Sequence, residues 1–297
     1  MSSRYLAYGL SIACEFDLPE LAPAPPGNDA DVRISLAKLP PPHGAGLMQQ
    51  GADTFLRTRG VAYFRLRGGR EIAIDPAPGA TEPEVRLYLL GSAFGALLYQ
   101  RGLLPLHAGA VAFGGEAAAI AGPSGIGKST LVAHLARQGH AVLCDDTCAV
   151  SFDAAGRAIA SPGLPRVKLC EDALAALAYR EPDLAFDGAK YALSLPQLSG
   201  ALPLTRVYLL RDGPPGSRIC IERLAGFAAT QALVANLYRT QYVGAMGLTR
   251  QVFSLVTALA RSATIFTLTR PRGLEALGEV SFSIEAHLAD AASGALA

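Results

Sequence analysis

Gly122-Pro123-Ser124-Gly125-Ile126-Gly127-Lys128-Ser129 lies between the apolar run Ala117–Ala121 and the helix-patterned stretch Ser129–Gln138. The octet satisfies G-x-x-x-x-G-K-[ST] in full, and a strand before it with a helix after it is the context this motif requires. Glycines let consecutive backbone N–H groups turn inward around phosphate oxygens, where a side chain would obstruct them. The following helix N-terminus adds partial positive charge. A lysine at the seventh position can reach the outer phosphates, and a serine at the eighth can place its hydroxyl on Mg²⁺. Gly122, Pro123, Ser124, Gly125, Ile126, Gly127, Lys128, Ser129 and Thr130 therefore form the expected site for a nucleoside triphosphate, read as ATP, with Ser129 on the Mg²⁺. Lysine is otherwise scarce, with four beside 22 arginines.

Outward from this loop, the apolar run Ala141–Cys144 reads as the next strand, and Asp145-Asp146 follows it directly. Ligands of open α/β sheets bind beyond the carboxyl ends of the strands, which is where this pair emerges. One carboxylate could take a proton from an attacking hydroxyl and the other could hold Mg²⁺. A turn or helix cap would use the same residues without chemistry. Upstream, His107 stands in Leu106–Phe113, read as one buried strand. It is either a packed core histidine or a group near the phosphates.

From Leu103 onward, strands alternate with helices. Further helices are expected at Glu171–Ala178 and twice within Gly226–Ala260, and strands at Ala149–Phe152, Thr205–Leu210 and Thr264–Thr269. That alternation predicts an α/β domain. The first third differs: Tyr5–Ala13, Asp31–Leu36, Thr54–Leu66 and Arg70–Ile74 are short strand-like runs separated by Pro- and Gly-rich loops. A helix is expected over Glu82–Arg101, capped by Thr81 with Glu82 and Glu84 in its first turn. Residues 1–85 thus read as a small, mainly antiparallel β module without recognisable chemistry, and 86–297 as the main α/β domain that carries the glycine-rich loop. Tyr238, Tyr242 and Phe253 sit at helical spacing and read as core.

Composition limits the alternatives. The 297 residues are 51% hydrophobic and 17% charged, which suits a packed core rather than disorder. A formal charge of +1 offers no basic field, so nucleic acid is not an expected partner. The apolar run Leu87–Tyr99 ends at Gln100-Arg101, short of a membrane span, so no membrane association is expected. The five cysteines are dispersed, and Cys144, Cys148 and His140 match no common zinc spacing, so reduced thiols and a cytoplasmic location are expected.

Leu106-His107-Ala108-Gly109, the glycine-rich loop, Gly139-His140 and Cys144-Asp145-Asp146 together resemble the catalytic domain of HPr serine kinase. The resemblance covers about 40 residues, 107–146. It implies a P-loop kinase domain of the HPr-kinase type, a serine hydroxyl as acceptor and ATP with Mg²⁺ as donor. It assigns proton transfer and metal support to the Asp pair, with His107 close by. Asp145 is favoured as the base and Asp146 as the metal partner, and Lys128 neutralises the transferring phosphoryl group. Two departures bear on the substrate. Thr130 stands where that family usually has an acidic residue, and Pro162–Leu169 replaces its Glu-Ile-Arg-Gly type motif. Pro165-Arg166-Val167-Lys168-Leu169, Asn236–Arg239 and Thr269-Arg270-Pro271 instead resemble the HPr-kinase-related proteins of peptide biosynthetic clusters, some of them lasso-peptide kinases. That narrower likeness implies a peptide or small-protein acceptor, the C-terminal serine of a lasso-peptide precursor. Arg166, Lys168, Arg239 and Arg270 then become candidate clamps for phosphate or an acceptor carboxylate. By analogy with the family, a homo-oligomer is expected. A small-metabolite kinase and a nucleotide-binding regulatory protein without a phosphoryl acceptor are the alternatives.

Overall fold

The computed structural model of the protein describes residues 3–25, 29–40, 44, 46–179, 185–186, 190–195, 198–214 and 216–294. Period-2 patterning in the first quarter of the chain builds one sheet. β1 (Ser3–Ala7) and β2 (Leu10–Cys14) form a hairpin, so the run expected as one strand over Tyr5–Ala13 is in fact two. The break falls at Tyr8-Gly9, where both φ values are positive, 57° and 73°. Such a two-residue turn matches the twist of the flanking strands. β3 (Ala22–Pro23), β4 (Val32–Leu36), β5 (Gly46–Gln50), β6 (Asp53–Thr58), β7 (Ala62–Arg67) and β8 (Glu71–Pro76) follow. The eight strands run β3-β1-β2-β4-β8-β7-β6-β5. Among the described residues only β2–β4 and β4–β8 pair in parallel, so the sheet is mainly antiparallel. Thr54–Leu66, also read as one run, divides into β6 and β7.

The Thr81 N–H donates to Glu84 Oε2 at 2.8 Å and opens the helical stretch. Instead of one continuous helix there are α1 (Glu82–Tyr88), a π-helical segment Leu89–Ala93 and α2 (Phe94–Gln100). This stretch lies against Tyr238. A Cβ on Gly95 would sit 2.8 Å from Tyr238 Cε1, and one on Gly91 would sit 3.4 Å from the Tyr238 hydroxyl.

The chain continues through β9 (Leu104–Leu106), β10 (Ala108–Phe113), β11 (Glu116–Ala121), α3 (Lys128–Arg137), β12 (Val142–Cys144), β13 (Cys148–Phe152) and β14 (Ala158–Ser161). Next come β15 (Arg166–Leu169), α4 (Glu171–Ala176), β16 (Ala185–Phe186), β17 (Tyr191–Ser194), β18 (Leu202–Asp212) and β19 (Cys220–Leu224). α5 (Gly226–Ala235), α6 (Gln241–Ala245), α7 (Thr249–Ser262), β20 (Thr264–Arg270) and α8 (Leu277–Gly294) complete it. A nine-stranded sheet takes the order β12-β10-β11-β18-β14-β13-β9, with β20 beside β18 and β19 beside β20. β11 and β20 run parallel to β18, while β10 folds back antiparallel on β11, giving a mixed α/β arrangement. β15, β17 and β16 make a separate antiparallel sheet.

Both faces of the large sheet are buried, as a central strand's continuous apolar pattern requires. Along β11, Ala117, Ala119 and Ala121 enter one apolar cluster, whereas Ala118 and Ile120 enter another. β18 repeats this, with Val207 and Leu209 on the first side and Tyr208 and Leu210 on the second. The first cluster is continuous with the N-terminal sheet, α1–α2 and α5–α7. The second is closed by α3, α4 and α8, the last through Val280, Ile284 and Leu288.

The region Gly226–Ala260, expected to hold two helices, holds three. Tyr238 and Tyr242 are buried, but Phe253 faces outward at 58% exposure, contrary to its reading as core. Three cysteines are buried, and all five are free thiols. Among the described residues no helix is long and apolar enough to cross a membrane.

The Gly95–Tyr238 contact leaves no room for a side chain. Gly95→Ala should cost about 1–3 kcal/mol through overpacking against the ring. Urea unfolding would measure this, and unchanged stability would show that the ring yields freely.

Candidate active site

β11 ends where the glycine-rich loop begins, and α3 starts at its lysine. Gly127, at φ 100°, caps α3, and a Cβ there would lie 3.0 Å from Arg270 Nη2. Arg270 is the last residue of β20 and is 7% exposed. Its Nη2 donates to the Ile126 carbonyl, and its Nη1 donates to the Pro271 carbonyl at 2.8 Å. Nη1 also pairs with Asp212 Oδ1 at 3.4 Å, at the end of β18. The sequence offered Arg270 as a clamp for phosphate or acceptor; its guanidinium braces the loop from the adjoining strand ends, and the residue borders the cavity beside that loop.

Lys128 Nζ donates to the carbonyls of Gly122 at 2.9 Å and Pro123 at 3.1 Å. Burial lowers its pKa, with Asp145 and Asp146 pulling the other way. Ser129 Oγ donates to Asp145 Oδ1 at 2.9 Å, and the Lys168 N–H donates to Asp145 Oδ2 at 3.1 Å. Asp145 is 6% exposed, and burial raises its pKa despite these two hydrogen bonds.

Asp146 is its opposite. Its side chain is 57% exposed, and its φ of 67° turns it away from its neighbour. His107 Nε2 lies 3.4 Å from Asp146 Oδ1. Partial burial pushes the Asp146 carboxyl up, but the His107 contact with the charges of Lys128 and Lys168 outweighs it and holds the pKa below the ordinary value. His107 is not inside a strand as expected. It occupies the break between β9 and β10, where the chain passes from pairing with β13 to pairing with β11. Its N–H donates to the Asn236 carbonyl at 2.8 Å.

Two cavities, each of about 280 Å³, meet here. The first is bounded by Ser124–Thr130, His107, Asp146, Lys168 and Arg270. The second is bounded by Tyr8, Asp145, Thr147, Arg166, Tyr238 and Arg239, and again by Asp146 and Lys168. Arg166 and Lys168 share one face of β15, whose alternate residues Val167 and Leu169 are buried. The Arg239 guanidinium lies 5.4 Å from the Tyr238 ring centre and 5.8 Å from that of Tyr242. Of the basic residues singled out in the sequence, Arg166, Lys168 and Arg239 thus converge on the second cavity, and Arg270 stays with the loop.

The sequence reading missed Tyr8, because the N-terminal sheet carries no motif, and it gave Tyr238 to the core. It also missed Lys190 and Arg272, which border the first cavity. A tyrosine in front of the turn glycine Gly9, where asparagine or aspartate is favoured, was the available signal for Tyr8.

No protein-family model matches the sequence, and comparison with curated proteins finds no relative. Among solved structures the chain is similar to the HPr(Ser) kinase/phosphatase from Coxiella burnetii, with 12% identity, 65% of this chain and 99% of that chain covered, and a TM-score of 0.35. At that score the likeness carries no argument about function, and the residues of the site carry it instead.

The two aspartates have opposite pH signatures. Asp145, with its pKa raised in the folded state, loses stabilisation as pH rises through the carboxylate range. Asp146, with its pKa lowered, contributes stability above its ordinary value of about 4 and loses it as pH falls below that. Asp145→Asn should therefore raise the melting temperature at about pH 7 and lose the advantage toward about pH 4. Asp146→Asn should lower it at neutral pH, with the deficit shrinking in acid. Melting curves across this range decide, and parallel curves for the two variants would refute the assignment.

Proposed function

We propose that this chain is an ATP-dependent kinase that phosphorylates a serine hydroxyl of a peptide or small protein. The observation that carries the reading is the meeting of two cavities at Asp146 and Lys168, one bordered by the glycine-rich loop and the other by basic side chains. A phosphoryl transfer needs donor and acceptor in line across a shared group that manages charge and proton.

The loop fits a nucleotide polyphosphate. Gly122 and Gly127 adopt φ values of 149° and 100°, and a Cβ on Gly122 would press on Ile126 Cγ2 at 3.1 Å, so the loop takes its curvature only with glycine. Lys128, now on loop carbonyls, is the cation within reach of the outer phosphates. Mg²⁺ would be held by Ser129, with Asp145 behind it, together with phosphate oxygens. Among the described residues no cluster of three or more His, Cys, Asp or Glu could form an all-protein cage, which is the ordinary situation for this ion. When bound, the cation would neutralise charge on the phosphates.

We assign the two aspartates the other way round from the sequence reading, with Asp145 on the metal side and Asp146 as the base. Both Asp145 oxygens already accept hydrogen bonds, one from the metal-side Ser129. Asp145 therefore orients Ser129. Asp146 is exposed, borders both cavities and is held anionic beside His107. It is the group able to accept the proton of an acceptor hydroxyl, with His107 fixing its direction. Lys168 supplies positive charge where the transferring group passes. Arg166 and Arg239 bind the acceptor. The acceptor that the resemblance points to is the C-terminal serine of a lasso-peptide precursor.

Mass spectrometry after incubation with ATP, Mg²⁺ and a panel of serine-ended peptides and small hydroxy compounds tests the reading. One phosphate should be gained on a serine hydroxyl. Asp146→Asn should lower the rate by about 10²–10⁴-fold with nucleotide affinity nearly intact. Asp145→Asn should mainly raise the Mg²⁺ requirement. Transfer by Asp146→Asn at near wild-type rate would sink the assigned base, and nucleotide binding without any phosphorylated product would favour the regulatory alternative.

A further inference from the structure

Asn236-Leu237-Tyr238-Arg239 connects α5 to α6, and its backbone groups pair beside His107. β9 is the end strand of the large sheet and pairs with β13, so its outer edge presents polar backbone groups that need partners. The connector supplies them. Leu237 bridges Leu106 in antiparallel fashion, the Tyr238 N–H donates to the Pro105 carbonyl at 2.9 Å, and the His107 N–H donates to the Asn236 carbonyl at 2.8 Å. Arg239 then turns the chain with a φ of 50°, which leaves the Tyr238 carbonyl outside any helix or strand. Its donor comes from 139 residues away in sequence, where the buried Tyr99 hydroxyl reaches it at 2.9 Å. Tyr99 is 1% exposed and borders neither cavity.

We infer that Tyr99 is a positioning residue for the site: its hydroxyl fixes the connector between α5 and α6 and, through it, holds His107 against Asp146. The inference rests on the reading of Asp146 and His107 as the proton-accepting pair. Tyr99 acts through Tyr238, whose N–H and carbonyl are both engaged and whose ring stands at 76° to the imidazole, ring centres 6.2 Å apart. The imidazole meets Asp146 Oδ1 at 3.4 Å, a long contact that a small displacement would break. Tyr99 is anchored in turn by the end of its own helix. Gln100 Nε2 donates to Thr54 Oγ1 at 2.8 Å, Gln100 Oε1 accepts the Gly69 N–H at 2.9 Å, and Arg101 Nη1 donates to the Gly69 carbonyl at 2.8 Å. The N-terminal sheet is thereby connected, through α2 and one hydroxyl, to a histidine beside the glycine-rich loop. Phenylalanine at position 99 would keep the packing of the ring and leave the Tyr238 carbonyl buried without that donor.

The test applies three measurements to Tyr99→Phe in the full chain. Hydrogen exchange read by mass spectrometry should quicken about tenfold in peptides spanning 104–110 and 234–240, the scale of one lost hydrogen bond, and stay unchanged in α3. In long-range ¹H–¹⁵N spectra, His107 is assigned by its disappearance in His107→Asn. Its imidazole signals should shift when Asp146→Asn is made in the wild-type chain and barely move when it is made on Tyr99→Phe. Phosphate release from ATP with Mg²⁺, water serving as acceptor, should fall about tenfold in kcat with the KM for ATP kept within about twofold. Tyr5→Phe is the control. It removes the acceptor of a buried hydrogen bond elsewhere, Leu18 N–H to the Tyr5 hydroxyl at 3.0 Å, and should leave all three measurements at wild type. Faster exchange spread over every peptide, an unchanged imidazole response, or an unchanged kcat in Tyr99→Phe overturns the inference. If Tyr99→Phe does not melt cooperatively, Gly95→Ala, which presses the Tyr238 ring from the same helix, decides by exchange and imidazole response. A wild-type chain that binds ATP and releases no phosphate counts against the kinase reading, while exchange and imidazole response still decide on Tyr99, so the two failures are distinguishable.

Discussion

A buried carboxylate between a serine hydroxyl and a backbone amide ties the site together. Asp145 reaches Ser129 at the start of α3 and the Lys168 N–H in β15. Taking an ionised carboxylate out of water costs on the order of several kcal/mol, so the group persists only with well-aimed donors on both oxygens. Three segments are thereby fixed relative to one another: the loop-to-helix junction, the end of β12 and the strand bearing Arg166 and Lys168. Once β15 is anchored by its backbone, the alternation of that strand delivers both basic side chains to one face.

Arg270 performs the matching task beneath the loop. Its guanidinium joins the Ile126 carbonyl to Asp212, and so couples loop curvature to the ends of β18 and β20. The loop is thereby braced by the protein itself. On the proposed kinase reading, such preorganisation matters because positioning and electrostatics supply nearly all of the catalysis in phosphoryl transfer.

The two-sided sheet explains how an N-terminal sheet without motifs becomes part of the site. One face of β11 and β18 is closed by α3 and α8, and the other continues into the core of the first sheet through α1–α2 and α5–α7. The Tyr8-Gly9 turn lies at the edge of that continuous core. At Tyr8, itself part of that core, burial offsets the order of about 1–3 kcal/mol that a left-handed non-glycine residue costs.

The local rules of the chain were enough for the glycine-rich loop, the strand and helix around it, the Asp pair after a short strand, and a mainly antiparallel first sheet. Each follows from periodicity or from glycine and aspartate chemistry within about ten residues. α8 was legible too, in the i, i+4, i+8 spacing of Val280, Ile284 and Leu288, though it went unread. The break between strands at His107, the π segment and the exposure of Phe253 depend on contacts with distant chain, which no window of sequence contains. The division of labour between adjacent aspartates is of the same kind. Asp145 and Asp146 are chemically identical, and only burial, a 67° φ and the approach of Ser129, Lys168 and His107 from elsewhere in the chain make one a buried orienting group and the other an exposed anion. Sequence determined which groups are present near the loop, and tertiary structure decided which of them face a ligand, because electrostatic environment is a property of neighbours in space.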